Sequence, residues 1–196
     1  MKIIDVSAYQ GAIDWNKVAG NKEISGVILR STVKSGQLDP RFCENINGII
    51  RLKNDHFKYI GAYKFAYTTD YIDAYVEAYN ALEKMDRCGA LAFIDRFFLD
   101  LENWSNHYVR KEANEVIKGY MDACKDFNVN FGLYCNYDYL KRVIDPTWAH
   151  LYLWYARYNK TMGDISPFKA NIWQYTSKGK IDGITGDVDV SEVIEI

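Results

Sequence analysis

A chain of 196 residues, 48% hydrophobic with 13 Gly and three Pro, has the apolar content for one full core, and that composition excludes disorder. Its 24 basic and 26 acidic residues leave a net charge of −2, so no single-sign field exists to hold a polyanion, which argues against nucleic-acid binding. The aromatic share is high at 15%, and it is dominated by 16 Tyr, amphipathic rings suited to flat, half-apolar ligands such as sugars.

In chain order, Ile3–Val6 reads as a strand whose Asp5 interrupts any signal-peptide apolar region, so no export signal is expected in the chain as given. Asp14 is a candidate N-cap for a helix carrying Trp15 and Val18. Gly26–Arg30 is a second strand, followed by helical spacing at Phe42, Ile46, Ile49, Ile50 and Lys53. Tyr59–Phe65 is a third strand, and Tyr71, Tyr75, Ala78, Leu82 and Met85 form the next helix face. Leu91–Leu101 is a long apolar run that ends in acids. Ala113, Val116, Ile117, Tyr120, Met121, Cys124 and Phe127 give the clearest 3.6-residue stripe. Strand candidates then follow at Asn130–Cys135, Leu151–Ala156, Asn171–Tyr175 and Asp187–Val190. No apolar run approaches the ~20 residues that span a bilayer, so no membrane partner is expected.

The alternation is that of parallel β/α units. About eight strands, with helices between the early ones and short connections between the late ones, predict an α/β domain over 1–196 built as a shortened closed barrel. An open doubly wound sheet is the alternative, and it lacks the Gly-rich phosphate loop after the first strand. Cys43, Cys88, Cys124 and Cys135 form no CxxC pair and read as unpaired thiols. His56, His107 and His150 have no zinc-ligand spacing, so neither a metal nor a cofactor is expected.

Barrel chemistry gathers at one end of the strands, where Asp5, Asp100, Glu102 and Asp189 fall on this reading. Chance places about three acidic pairs at i,i+2 in a chain with 26 acids, so the spacing alone is weak. Context strengthens Asp100 and Glu102: they close an apolar strand, share a face at ~6.6 Å, and repel each other, which keeps one protonated beside a charged neighbour. Asp187 shares a face with Asp189, and spacing does not choose between them. Tyr63, Phe65 and Tyr67 alternate on the third strand, and Tyr134, Trp154, Tyr155 and Trp173 fall on later ones, as rings that stack on sugars.

Five motifs follow one another: Asp5-Val6-Ser7-Ala8-Tyr9-Gln10-Gly11 with Ile13-Asp14-Trp15, then Gly61–Phe65, then Leu99–Glu102, then Leu153–Tyr158, then Trp173–Ser177 with Gly179, Gly183-Ile184, Gly186 and Val188-Asp189. Their order resembles glycoside hydrolase family 25, the Chalaropsis-type lysozymes. With no export signal expected, the chain also resembles a phage endolysin catalytic domain. Two departures are Lys64, where His is common, and Val190-Ser191, where an aromatic usually follows. The resemblance implies a distorted TIM-like barrel, (β/α)5(β)3, that cleaves the β-1,4 bond between N-acetylmuramic acid and N-acetylglucosamine in bacterial peptidoglycan. It implies Glu102 as general acid and Asp100 as the group steering the substrate's N-acetyl. Asp5 and Asp189 would hold the charge pattern, with Tyr63, Phe65, Tyr134, Trp154, Trp173 and Gln174 against substrate. Retention with help from the N-acetyl group is the favoured course, and release by phage lysis machinery or a non-classical route is expected. A metal-dependent hydrolase with a carboxylate site and a non-catalytic glycan-binding barrel are the alternatives.

Overall fold

The computed structural model describes residues 1–52, 56–102 and 108–195. Eight strands close into a barrel in chain order: β1 Lys2–Val6, β2 Ile24–Arg30, β3 Tyr59–Phe65, β4 Arg96–Asp100, β5 Phe131–Asn136, β6 Leu153–Ala156, β7 Ile172–Gly179 and β8 Val188–Val193. Five helices fill the first five crossovers: α1 Trp15–Gly20, α2 Phe42–Ile50, α3 Tyr71–Arg87, α4 Arg110–Asp126 and α5 Tyr137–Arg142. This is the expected α/β barrel, with its α-helices, among the described residues, confined to the first five crossovers. Of the α2 face, Lys53 lies outside the described residues.

Strands β1 to β7 run parallel, and β8 runs antiparallel to both β7 and β1. The direction follows from chain length. A parallel crossover takes a dozen residues or more, and only Lys180–Asp187 connect β7 to β8. The chain therefore turns back, and the start of β8 lies at the same rim as the ends of β1–β7. Asp189 pairs directly with Asp5 across that seam.

Period-2 alternation sorts the side chains into two layers. Ile3, Ile28, Phe98, Trp154 and Ile172 fill the lumen. Ile4, Val27, Leu29, Phe97, Leu99 and Leu133 face outward into the larger core beneath the helices. Helices α3 and α4 approach closely at Gly119, where a Cβ would meet Tyr71 O at 2.6 Å and Tyr75 N at 2.7 Å. Tyr71 and Tyr75 donate to Asp122 and Asp126 across this contact, at 2.8 and 2.6 Å, as helix-packing rings.

Two local elements differ from the sequence expectation. The run Leu91–Leu101 splits into a 3-10 turn at Leu91–Phe93 and strand β4, because Asp95 between them accepts the Ile60 amide at 2.7 Å. Helix α5 occupies a stretch read as a short connection; Asn136 caps it by accepting the Tyr139 amide at 3.0 Å. All four cysteines are free, with Cys124 and Cys135 buried. His56 lies against the carbonyl of Ile24 and His150 against that of Thr147, while His107 lies outside the described residues.

Candidate active site

Four carboxylates meet at the rim formed by the ends of β1–β7 and the start of β8. Asp5 and Asp100 are the inward-facing last positions of short strands, and both are buried. Glu102 lies two residues past β4. The Leu101 amide still donates to Tyr134 O at 2.9 Å, so the chain stays extended and Glu102 returns to the lumen side. Asp189 enters from β8. Its rival Asp187 is exposed, pairs with Lys180 at 2.6 Å and lines only a side pocket of about 270 Å³ shared with Asp5, Tyr63 and Asp189, whereas Asp189 also borders the central pocket with Asp100 and Glu102.

Gln174 ties the acids to the aromatic wall. Its Nε2 donates to Asp5 Oδ2 at 2.9 Å, and its Oε1 accepts from both Tyr134 and Tyr158 hydroxyls at 2.9 Å. Trp154 forms the floor, donating to Ser191 Oγ at 3.0 Å, with ring centroids 4.4 Å from Tyr134 and 6.0 Å from Tyr63. Phe65 and Tyr67, 4.8 Å apart, line one side beside Tyr63. The cleft has a central pocket of about 330 Å³ around the acids, a lobe of about 400 Å³ towards Phe65 and Tyr67, and one of about 290 Å³ towards Tyr137. Glu102 borders all three.

Trp173 is elsewhere. Its indole donates to Arg157 O at 3.0 Å and stacks obliquely on Tyr175, on the outer face of the barrel. Trp173 and Gln174 are consecutive, and a strand sends only one of two consecutive side chains into the lumen. The expectation that Trp173 lines the cleft is corrected on that ground; Gln174 takes the inward place.

Several cleft residues were missing from the sequence-derived set. Arg30, the last residue of β2, pairs with Tyr63 and faces inward; its Nε is buried with no hydrogen-bond partner among the described residues. Its parity with Ile28 was the available signal. Tyr158 reaches Gln174 and Asp189, and Tyr9 stands 87% exposed at the rim. Both belong to the quoted motifs.

All four acids hold their protons more tightly than ordinary carboxyls. Asp5 is pushed well up by burial and by Asp189, against the Gln174 hydrogen bond. Asp100 is pushed well up by burial, Glu102 and Asp5, with Arg30 and Lys64 pulling back. Glu102 is raised by burial and Asp189, and Asp189 by burial against a Tyr158 hydrogen bond. Such a set shares protons rather than titrating singly. Asp100 Oδ1 is buried with no hydrogen-bond partner among the described residues. Among the described residues, no three His, Cys, Asp or Glu side chains come together as a metal-holding group.

A shaped cleft with proton-holding acids, ring walls and two lobes fits a polar chain passing through and being cut by acid–base chemistry. The family model "Glycosyl hydrolases family 25" matches residues 4–184. The modular autolysin LytC from Streptococcus pneumoniae, solved with a synthetic peptidoglycan ligand, is 29% identical with a TM-score of 0.84; the match covers 97% of this chain and 46% of that one. The catalytic domain of endolysin ply40 from bacteriophage P40 of Listeria monocytogenes shares the fold, at 23% identity and TM-score 0.78 over 98% of this chain and 92% of that one. An autolytic lysozyme of Clostridium acetobutylicum is 24% identical over 196 residues, all of this chain and 56% of that protein. The chain spans between about half and two thirds of the curated relatives it matches.

Proposed function

Because the chain belongs to glycosyl hydrolase family 25, we propose that it is a peptidoglycan hydrolase acting as a muramidase. It cuts the β-1,4 bond between N-acetylmuramic acid and N-acetylglucosamine, residues 1–196 act as one catalytic unit, and the bacterial wall is its place of action. One observation carries the reading: four carboxylates with raised affinity for protons share one ring-walled cleft that is open towards two lobes. A glycan strand continues on both sides of the bond to be cut, and two lobes flanking the acids suit such a chain.

Glu102, raised by burial, keeps a proton for the leaving glycosidic oxygen. The substrate's acetamido oxygen attacks the anomeric carbon, and ionised Asp100 accepts the acetamido N–H at its unpartnered Oδ1. Glu102, now a carboxylate, takes a proton from the water that opens the intermediate, so the anomeric configuration is retained. Asp5 and Asp189 share protons with the other two acids, so the cluster keeps a net negative charge that favours the cationic transition state, and Gln174 orients Asp5. Burial raises both Asp100 and Glu102, so this division of labour depends on the cations that pull Asp100 back, Arg30 and Lys64.

Mass spectrometry of digested peptidoglycan with labelled reducing ends tests the reading. New muramic-acid reducing ends are expected, and Glu102→Gln should lower their rate by ~10²–10⁴. Glucosamine reducing ends, cleaved peptides or an undiminished Glu102→Gln would overturn it.

A further inference from the structure

Behind the cleft, on the face of β3 turned towards α3, Lys64 is held in an ion pair with Glu77. Lys64 is 1% exposed, a rare place for an ammonium. Its Nζ meets Glu77 Oε1 at 2.9 Å, donates to Phe65 O at 2.7 Å and sits 4.4 Å from the centre of the Tyr67 ring. Glu77, on α3, uses its other oxygen to accept the Tyr67 amide at 3.2 Å and the hydroxyl of Tyr120, from α4, at 3.0 Å. The set is satisfied at both ends. An apolar pair of similar volume would avoid the desolvation cost, so what the ionic set adds is geometry and charge.

Both are directed at the cleft. The contacts of Lys64 and Glu77 converge on Phe65 and Tyr67, the rings that wall the larger lobe beside Asp100 and Glu102. Between those rings, the Ala66 amide donates to Asp100 O at 3.0 Å, so this rim and the end of β4 are one hydrogen-bonded unit.

We propose that Lys64 is a positioning residue for the site: from behind the barrel wall it clamps the Phe65–Tyr67 rim and sets a positive charge beside Asp100. The inference rests on the reading of Asp100 as the ionised partner of the substrate. Around Asp100, Glu102 and Asp5 raise its affinity for a proton and Arg30 and Lys64 lower it, with Tyr63, Tyr134 and Cys135 as its titratable neighbours. Burial lowers the Lys64 ammonium's hold on its proton, Arg30 adds to that, and Glu77 and Asp100 oppose it, with Tyr67 and Tyr120 as the titratable rings of the set.

Lys64→Met and Glu77→Gln separate charge from structure. In the substrate-free protein, carbon-13 NMR titration of the Asp100 carboxyl should shift up by roughly half a pH unit or more in Lys64→Met. It should not rise in Glu77→Gln, and the acid limb of kcat/KM should follow the same pattern. A merely structural role would move neither titration, or both in one direction, and either result overturns the proposal. Should Lys64→Met fail to fold, the double variant Lys64→Met/Glu77→Gln leaves no unpaired buried charge. It should still raise Asp100 and lower kcat about tenfold, and parental values for both would overturn the proposal. The NMR titration needs no turnover, so an inactive parent would sink the muramidase reading and leave this test standing.

Discussion

At the residue scale, Gln174 shows how one amide organises several acids and rings. With one donor on Asp5 and one acceptor shared by Tyr134 and Tyr158, it has no equivalent among apolar replacements of its size. Gln174→Leu should therefore leave three polar groups misplaced and lower kcat/KM by about 10²-fold. Trp173→Phe, next door but on the outer face, should stay within about twofold in the same turnover assay. Equal losses from the two substitutions would refute the inward and outward assignment. The carboxylates themselves were legible from the chain, since Asp5, Asp100 and Asp189 sit at strand boundaries and Glu102 follows at i+2. Arg30 was not singled out: a charged strand end reads as solvated until closure of the barrel turns it into the cleft.

At the element scale, the strand and helix pattern was readable to within a few residues for β1, β3 and α4, where periodicity is strong. Helix α5 was missed because six residues cannot display a full amphipathic repeat, although Asn136 was a cap signal. The direction of β8 was not read either. It depends on the length of its connection and on which edge remains open to pair. The α3–α4 contact has the opposite character, since backbone crowds Gly119 on two sides. Gly119→Ala should destabilise the fold by about 1–3 kcal/mol, measured by denaturant unfolding. An unchanged midpoint would mean the helices separate at little cost.

At the scale of the whole molecule, the barrel stores electrostatic strain at one end. Burial raises Asp5 and Asp100 well above ordinary carboxyls, with Glu102 and Asp189 raised as well. The folded state thus binds more protons than the unfolded chain, and stability falls as pH rises. Well below pH 4 both states are protonated and these groups cost nothing; the loss grows as pH rises through the ordinary carboxyl range and is complete above the folded-state values. Asp100→Asn removes one such charge, so it should raise Tm at pH 8, change it little at pH 4, and abolish turnover. Each recovered kcal/mol is worth ~2–4 °C in a domain of this size. A lower Tm at pH 8 would show that Asp100 is paired in a way that stabilises the fold. The sequence by itself determined the α/β alternation, the ordered motifs and which acids fall at strand ends, because these reside in local periodicity and residue type. Only the tertiary structure decided that Asp189 rather than Asp187 borders the central pocket, that Gln174 rather than Trp173 faces the lumen, and that Lys64 lies buried behind the wall that carries Asp100. Those outcomes turn on which face of each strand is enclosed when the barrel closes, and on how far closure strips water from four neighbouring carboxylates.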